Sequence, residues 1–399
     1  MKILVIHNEY GAISGEEIAL GHVVDLLTER GHQIRRYTRS SAEMDHMRFA
    51  KPRALLAGLG NPASRKQIRG VLSDFRPDVA LVKNLYPFVS PAILPVIKKA
   101  GIPIVMSVAN YRLMCPTGLH MSDGKVCERC TGGREYHCAL RNCEHNLPKS
   151  IGYALRNYVA RKAGWYKENV SAYICASHFL RGKLSAAGFD RLRLHVIPNL
   201  VPDSLVSQTL PAADAGTYIA YLGRISEEKG VPTILRAAQL CPEIEFRLAG
   251  KLRESYQLPT PIPPNVKLIG HVHKADLTPF LSGARMLISA SECYETFGMS
   301  VAEAALHERP VVVSRIGVFP EFVEEEKTGL LFQPGDATEL AGKIRRLWQS
   351  PDLCRQMGKA GRQRALREYS RDMYYQRISA VFKSVLPIQT RLRGAAVQS

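Results

Sequence analysis

The stretch that decides the fold lies in the second half of the chain, where residues 291–303 read SECYETFGMSVAE. An apolar run from Ala284 to Ala290 precedes it and is typical of a buried strand, while a helical pattern from Met299 to His307 follows it. The stretch is therefore predicted to be a strand-to-helix turn at the carboxyl edge of a parallel sheet. Open α/β folds bind their ligands at that edge.

This turn has groups that suit an elongated ligand with a phosphate. A glycine at its centre lets a ligand approach the backbone closely, and the N–H groups at the helix start suit a phosphate. Two carboxylates stand apart, Glu295 in the loop and Glu303 in the helix, and we expect them to contact different parts of one elongated ligand. The alternative is an ordinary turn with a solvated glutamate. The backbone groups in question belong to Phe297, Gly298, Met299 and Ser300.

Length and composition indicate a globular protein of two domains. The chain has 399 residues, of which 46% are hydrophobic and 23% charged. No apolar run reaches membrane-spanning length, and Met1–His7 has the pattern of a first strand rather than of a signal peptide. We therefore expect a cytoplasmic protein, peripheral on the inner face of the membrane.

The positive charge is concentrated in the first half. The net charge is +18, and residues 1–200 hold 29 Lys and Arg against 15 Asp and Glu, a net +14. Such asymmetry favours an acidic partner for one domain, either an anionic membrane surface or nucleic acid. No nucleic-acid motif is present, so we expect no nucleic-acid partner. A basic surface that serves solubility alone is the alternative.

Alternating strands and helices predict the α/β class, with two doubly wound parallel sheets. In the first domain, residues 1–199, a strand is followed by a glycine loop at a helix entrance, where Gly15 could admit a phosphate or sugar. The second domain covers residues 200–370. Residues 371–399 form a last helix and a tail, which is expected to fray after Pro387.

An insertion at about residues 110–148 interrupts the first domain and is rich in cysteine. Cys127, Cys130, Cys138 and Cys143 lie within a polar segment that cannot build much core. In a reducing compartment such clustering favours a metal over disulfides, and four thiolates can close a tetrahedral structural zinc site. The alternative is a set of reduced, loosely packed thiols.

The second domain opens with a strand followed by Gly223, Arg224 and, five residues on, Lys229 and Gly230. Two cations beside two glycines would suit a diphosphate, because arginine makes bidentate contacts and lysine supplies a mobile point charge. Two exposed surface cations are the alternative. Two further strands end in the pairs Gly250-Lys251 and His271-Val272.

Taken in order, Gly-Arg-x4-Lys-Gly at 223–230, Glu-x7-Glu at 295–303 and Gly-Leu-Leu-Phe at 329–332 resemble a GT-B glycosyltransferase, most closely the retaining glycosyltransferase family 4. The resemblance covers nearly the whole chain. The insertion resembles that of a bacterial subgroup linked to cell-surface polysaccharide synthesis. GT-B implies two Rossmann-like domains facing across a cleft, with the last helix returning to the first domain.

The resemblance implies a role for each motif. Arg224 and Lys229 would hold the donor diphosphate and take up leaving-group charge, and Glu295 would bind hydroxyls of the donor sugar. Glu303 would bind the ribose, and Gly15 would approach the diphosphate. The turn at 297–300 would offer backbone N–H groups to sugar and phosphate. The nucleobase would be bordered by Gly250, Lys251, His271 and Val272.

The first domain departs from the family pattern at two positions. Relatives often carry histidine near the reacting sugar where this chain has Ala109, so either another group, such as Asn110 or His7, takes over that role or activity is altered. Lys83 stands where the pattern leads us to expect histidine before Asn84.

The implied reaction moves a sugar from a nucleotide-diphosphate sugar of the UDP or GDP type to a lipid-linked or saccharide acceptor, with retention. Family members stabilise the leaving group with cations and backbone dipoles rather than a catalytic metal, in agreement with the lack of an Asp-x-Asp motif here. No residue identifies itself as a covalent nucleophile. The rival hypotheses are a non-catalytic homologue that binds sugar nucleotides or polysaccharide, and an RNA-binding protein that uses the basic half.

Overall fold

The computed structural model describes residues 1–11, 15–201, 210, 213–253 and 256–387. The predicted frayed tail after Pro387 lies outside these residues. The chain divides into two compact units. Unit 1 comprises Met1–Ser122, Cys127–Leu200 and Asp372–Ser399, and unit 2 comprises Asp123–Val126 and Val201–Arg371.

The bounds of the elements follow in chain order. The strands are β1 Lys2–Glu9, β2 Gln33–Ser40, β3 Val79–Val82, β4 Ile104–Val108, β5 Met121–Ser122, β6 Lys125–Val126, β7 Ala172–Cys175, β8 Leu194–Val196, β9 Tyr218–Leu222, β10 Phe246–Ala249, β11 Val266–Gly270, β12 Ala284–Ser289, β13 Val311–Ser314 and β14 Gly329–Phe332. The α-helices are α1 Gly15–Glu29, α2 Ala50–Leu59, α3 Pro62–Phe75, α4 Leu94–Lys99, α5 Tyr136–Leu140, α6 Leu147–Lys162, α7 His178–Ala186, α8 Val231–Leu240, α9 Lys274–Ser282, α10 Met299–Leu306, α11 Phe319–Phe322, α12 Ala337–Trp348, α13 Pro351–Tyr369 and α14 Arg371–Val385.

Unit 1 is built on a six-stranded parallel sheet in the order β2-β1-β3-β4-β7-β8. Its central strands are buried on both faces, which explains why they are apolar without alternation. The last helix, α14, belongs to this unit because Ile378 and Phe382 pack in one core with Ile3 of β1 and Leu27 of α1.

Unit 2 contains a second six-stranded parallel sheet in the order β11-β10-β9-β12-β13-β14. Strands β9 and β12 are neighbours although two strands separate them in sequence, so the strand order reverses between them. Ligands of doubly wound folds bind at such a reversal, outside the carboxyl ends of the strands. The predicted fold class, two doubly wound α/β domains, is confirmed.

Helix starts follow the local sequence. Asn61 caps α3, its side-chain oxygen accepting from the N–H groups of Ala63 at 3.1 Å and Ser64 at 3.3 Å, and Pro62 occupies the first helical position. Asp336 caps α12 in the same way. The predicted insertion contains β5, β6 and the short helix α5.

Candidate active site

The predicted donor motifs meet at one edge of unit 2. The loop 223–230 follows β9 and the loop 290–298 follows β12, and these strands pair with each other. The pairs at 250–251 and 271–272 follow β10 and β11, the next strands along the same sheet. Because all four strands are parallel, their carboxyl ends bring these loops together.

The centre of this edge is an ion pair between Lys229 and Glu295. Ser291 donates a hydrogen bond from Oγ to the same carboxylate oxygen at 2.7 Å. Burial raises the pKa of Glu295, but the Lys229 ammonium and the two hydrogen bonds outweigh it and hold that pKa below its ordinary value. Burial lowers the pKa of Lys229, and Glu295 more than compensates, so both groups are charged at neutral pH.

Arg224 stands beside this pair and is held by a carboxylate that the sequence analysis missed. The buried Glu228 lies 3.7 Å from the Arg224 guanidinium and 3.2 Å from that of Arg253. Tyr221 donates its hydroxyl to the Arg224 carbonyl at 2.6 Å. The Arg224 side chain remains 53% exposed, so its guanidinium is oriented but still accessible. The spacing of four residues between Arg224 and Glu228 was the signal available in the sequence.

Two glycines keep the loops close to each other. Gly230 has φ +69°, and a Cβ there would lie 1.8 Å from the carbonyl oxygen of Ala290. Gly298 has φ +83°, and a Cβ there would lie 2.8 Å from the Phe319 ring. Both positions require glycine, because L side chains rarely adopt these conformations and the space is already occupied.

Helix α10 starts at the same edge and offers its backbone. In the first turn of the helix, the N–H of Val301 donates to the Gly298 carbonyl at 3.0 Å. The Phe297 ring is buried against Phe322 and Tyr369, so this residue can offer only its backbone to a ligand. The positive end of the helix dipole therefore faces the edge, in an arrangement that suits an anion.

Glu303 lies in the second turn of α10 and is half-buried. Burial raises its pKa to about 7. Among the described residues its carboxyl has no hydrogen-bond or ion-pair partner, so no cation compensates for the loss of water. A carboxyl in this state is poised to accept hydrogen bonds from ligand hydroxyls.

The outer part of the edge is open. The N–H of Ile225 donates to the carbonyl of Lys251 at 2.9 Å, which joins the loops after β9 and β10, and Gly250 donates to Gly270 at 2.7 Å. Lys251 and His271 are exposed and Val272 is half-buried. These groups could contact a planar ligand bound over the sheet edge.

Unit 1 brings its own polar residues to the carboxyl edge of its sheet. His7 is on β1, Lys83 follows β3, and Ala109 follows β4, and these strands are neighbours. His7 is buried, its Nδ1 accepts from the N–H of Asn84 at 3.4 Å, and its Nε2 has no hydrogen-bond partner among the described residues. Burial lowers the pKa of His7, which keeps the ring neutral with its proton on Nε2.

The neighbours of His7 are held in place. Lys83 is buried and donates to the carbonyl of Glu16 at 3.1 Å. Burial lowers the pKa of Lys83. The Asn110 side chain accepts from the N–H of Arg112 at 3.0 Å. Gly15 is the first residue of α1 and is exposed.

The structure does not support the predicted zinc site. Cys130 and Cys138 are buried against Ala154, with Cys143 packed beside them. In the part of the chain that the structure describes, no group of three or more His, Cys, Asp or Glu side chains could hold a metal ion. In the metal-free protein, burial raises the pKa of Cys130 to about 12 and also raises the pKa values of Cys138 and Cys143. The zinc prediction, which also included Cys127, is therefore not supported.

The positive charge of the first domain predicts a set of basic residues that face an anionic membrane, namely Lys51, Arg53, Arg65, Lys66, Arg69, Arg156, Arg161, Lys162 and Lys167. The structure divides them into two groups. The exposed ones are Lys51, Arg53, Arg65, Lys66, Arg69, Arg161, Lys162 and Lys167. Arg156 is the exception, because its guanidinium lies 4.0 Å from the Tyr86 ring centre and 4.3 Å from that of Tyr153, and it donates to the Pro116 carbonyl at 2.8 Å. The prediction was wrong for Arg156, which is buried and serves packing.

The exposed side of α6 also has an apolar stripe. Ile151, Leu155 and Tyr158 are 48%, 42% and 46% exposed, and their spacing of four and three residues places them on one stripe. On α2, which packs against α6, Leu56 is 64% exposed. No helix within the described ranges has both the length and the apolar character needed to cross a bilayer.

Comparison with known proteins supports the resemblance found in the sequence. The family model "Glycosyl transferase 4-like domain" matches residues 15–200, and the model "Glycosyl transferases group 1" matches residues 206–364. Each domain model therefore corresponds to one half of the chain.

Individual relatives are distant. The alpha-maltose-1-phosphate synthase of Mycolicibacterium smegmatis is 26% identical over 250 residues, covering 55% of this chain and 64% of the synthase. The Klebsiella pneumoniae "Uncharacterized 42.6 kDa protein in cps region" is 23% identical over 353 residues, covering 80% of this chain and 87% of that protein.

A solved structure matches across both units. Anabaena Alr3699/HepE in complex with UDP-glucose superposes with a TM-score of 0.66 at 18% identity, covering 96% of this chain and 100% of HepE. At this identity the likeness establishes the fold. Together with this fold, the two domain models support a GT-B glycosyltransferase, with a glycosyl transferase 4-like domain in the first half of the chain and a glycosyl transferases group 1 domain in its second.

Proposed function

We propose that the protein transfers a sugar from a nucleotide-diphosphate sugar to a lipid-linked or saccharide acceptor, with retention, in cell-surface polysaccharide synthesis. The observation that carries this proposal is the Lys229–Glu295 ion pair beside an accessible Arg224 at the sheet edge where the strand order reverses. We assign donor binding to residues 200–370 and acceptor binding to residues 1–199, with 371–399 as a C-terminal extension.

The cations would serve the departing diphosphate. As the bond from the sugar to the β-phosphate breaks, negative charge grows on the phosphate oxygen. Arg224, already oriented by Glu228, can approach that oxygen without losing its partner, and Lys229 can share its proton donors between Glu295 and phosphate. Groups fixed before the reaction stabilise developing charge at little reorganisation cost, which is usually the largest catalytic effect.

The carboxylates would bind hydroxyl groups. Glu295 stays ionised next to Lys229 and can accept from donor-sugar hydroxyls. Glu303, eight residues further along, can accept from the ribose. The backbone at 297–300 would then contact the sugar and phosphate, and the loops at 250–251 and 271–272 would border the base. A UDP donor is favoured because the structural relative HepE binds UDP-glucose.

His7 is the better candidate for the role that relatives give to a histidine near the reacting sugar. In the part of the chain that the structure describes, its buried Nε2–H has no acceptor, whereas the Asn110 side chain already accepts a hydrogen bond from the Arg112 backbone. An Nε2–H donor could bind a donor-sugar hydroxyl. Measuring kcat for His7→Ala and Asn110→Ala decides between the two residues. Only the substitution of the residue that contacts the sugar should lower kcat tenfold or more.

Retention would follow from attack of the acceptor on the same face of the sugar that the diphosphate leaves. The leaving phosphate oxygen would accept the acceptor proton, so no covalent enzyme intermediate is needed. The acceptor hydroxyl oxygen forms the new bond to the anomeric carbon, and the nucleoside diphosphate departs with the bonding electron pair.

We further propose that unit 1 docks reversibly on the anionic inner face of the membrane. The apolar stripe of α6 and Leu56 of α2 would enter the headgroup region, while Lys51 and Arg53 would pair with anionic lipids. Each well-placed cation contributes about 1 kcal/mol. The Klebsiella relative from the cps region supports a role in surface polysaccharide synthesis.

The decisive experiment incubates the purified protein with a panel of sugar nucleotides and a membrane lipid extract. Mass spectrometry should find a product heavier than an extract component by one glycosyl residue. NMR of the product should show the anomeric configuration of the donor. Sugar-nucleotide binding without any product would contradict the enzyme and support a binding homologue, and an inverted product would contradict retention.

A further inference from the structure

A basic groove on unit 1 lies away from the residues proposed to act in transfer. It has a volume of about 840 Å³ and lies between α3 and α4. Arg76 and Ile102, which line it, lie just before β3 and β4, at the amino ends of these strands. His7 and Lys83 are at the opposite, carboxyl edge of the same sheet. The groove is therefore separate from the candidate active site.

Four cations line the groove, and no other described side chain neutralises them. Arg65, Arg69, Arg76 and Lys99 have neither an ion pair nor a side-chain hydrogen bond among the described residues, and no Asp or Glu is among the described lining residues. The nearby carboxylate on α3, Asp74, pairs with Arg35 at 3.0 Å. Like charges gathered without counter-charge repel one another, so an anion bound here would be stabilising.

The conformation of Arg76 is unusual for its residue type. It ends α3 in the left-handed region, with φ +49°, where helices commonly place glycine. A non-glycine residue is strained there, and strain of this kind is concentrated at ligand-binding sites. Arginine at this position adds a guanidinium to the lining of the groove, where a glycine would offer none.

Apart from Ser73, the rest of the lining is apolar. Leu72, Pro95, Val96 and Ile102 form the wall, and Trp165 is part of it. An aromatic ring and aliphatic side chains beside four cations suit a ligand that has a phosphate group joined to a less polar part. Arginine is well adapted to phosphate because its planar donors match two phosphate oxygens.

We propose that this groove is a second anion site, which binds the phosphate group of a phosphorylated ligand. Two sources have this chemistry, the headgroup of an anionic phospholipid and a soluble phosphate compound. Arg65, Arg69 and Arg76 contact the phosphate, Lys99 adds a further positive charge, and Trp165 packs against the less polar part of the ligand. The site is independent of glycosyl transfer, so its test does not use turnover.

The test uses the fluorescence of Trp165 in the full-length protein, with Trp165→Phe to identify its signal against that of Trp348. One arm titrates inorganic pyrophosphate, and the other titrates vesicles of phosphatidylcholine with or without 30% phosphatidylglycerol. Saturable binding of pyrophosphate indicates a soluble ligand. Binding of the anionic vesicles alone indicates a lipid headgroup. No saturable response in either arm overturns the proposal.

Two variants and one control locate the binding. Arg69→Gln removes a groove cation and should weaken affinity about tenfold, as expected for a lost charge-assisted contact. Arg76→Gly also removes a cation but relieves the left-handed strain, so affinity should fall while the thermal midpoint stays equal or rises. Lys66→Gln, an exposed cation on α3 outside the groove lining, should change affinity less than twofold. Equal losses in all three variants would overturn the groove assignment.

Discussion

The Lys229 ammonium and the Glu295 carboxylate form an ion pair although 66 positions separate them in the chain. One belongs to the loop after β9 and the other to the loop after β12. Their side chains are 23% and 19% exposed, so water screens the pair only in part. The pair links the two motifs proposed to bind the donor.

Lys229→Met should destabilise the protein and lower kcat at least tenfold. The substitution leaves the Glu295 carboxylate without its cation. We expect the free energy of unfolding to fall by about 1–3 kcal/mol, which is less than for a fully buried ion pair because both side chains are partly exposed. Urea denaturation at pH 7 and steady-state kinetics measure the two effects. Lys267→Met, which breaks the more exposed pair with Glu245, is the control and should cost under about 1 kcal/mol.

The pH dependence of that stability difference follows from the lowered pKa of Glu295. A depressed folded-state pKa contributes stability above the unfolded-state pKa of a glutamate, about 4.3, and this stability is lost as the pH falls through the folded-state value. The difference in the free energy of unfolding between the wild type and Lys229→Met should therefore be largest at pH 7 and should decrease as the pH falls. A difference that grows in acid would contradict the pairing.

Arg224→Ala should lower kcat at least tenfold, which corresponds to about 1.4 kcal/mol of transition-state stabilisation. Its thermal midpoint should change little, because the side chain is half-exposed and Glu228 keeps Arg253 as a partner. Steady-state kinetics with each accepted donor provide the measurement, and Arg355→Ala on α13 is the control for loss of a surface arginine. Unchanged turnover would refute the assignment to the diphosphate.

Glu303→Gln should remove a pH dependence that lies near neutrality. Since burial raises the pKa of Glu303 to about 7, the wild-type carboxylate is lost as the pH falls below 7, and the KM for the donor should rise there. The variant should have a higher KM that is flat between pH 6 and 8. If both proteins showed the same pH profile, Glu303 would not be the group that binds the donor.

Glu303→Gln should also change the pH dependence of stability, in the direction opposite to that expected for Glu295. A raised folded-state pKa contributes stability that is present below the unfolded-state value and is lost as the pH rises through about 7. Glu303→Gln should therefore be more stable than wild type at pH 8, with the gain disappearing near pH 4. Denaturation without ligand keeps this test separate from binding.

Gly230→Ala should destabilise the protein by at least about 2 kcal/mol, because it combines left-handed strain with a Cβ that meets the Ala290 carbonyl. Activity should fall as well, since the loop next to Lys229 must move. Gly342→Ala is a matched control on exposed helix α12, where nothing lies within 4 Å, and it should stabilise by up to about 1 kcal/mol. Denaturation curves at one pH compare the two.

Ile151→Asp with Leu155→Asp should reduce binding to anionic vesicles by more than tenfold in a flotation assay. Charged groups on the α6 stripe cannot enter the headgroup region, whereas the fold should be unaffected because both side chains are exposed. Leu192→Asp changes an apolar residue that is 87% exposed elsewhere on unit 1 and is the control. Wild-type binding that is equal for neutral and anionic vesicles, or absent, would contradict membrane docking.

The sequence alone predicted most of the residues that meet at the carboxyl edge of the sheet in unit 2, where we propose that the donor binds. Apolar runs and helical periods located β9 and β12, and the parallel topology that they imply places Arg224 and Glu295 at one carboxyl edge. These signals are local, because a strand that is buried on both faces needs apolar residues and a backbone position at positive φ favours glycine. The family resemblance, carried by the same residues, was sufficient to predict two doubly wound domains.

Only the tertiary structure decided which side chains meet and which are accessible. The pairing of Glu228 with two arginines, the stacking of Arg156 between Tyr86 and Tyr153, and the burial of the cysteine thiols all depend on contacts between segments distant in sequence. The sequence does not show whether a basic residue is exposed to water, stacked on aromatic rings or grouped with other cations in a groove. Strand order and helix packing set the environment of each residue, and hence its charge and function. The local periodicity of the sequence does not determine either of them.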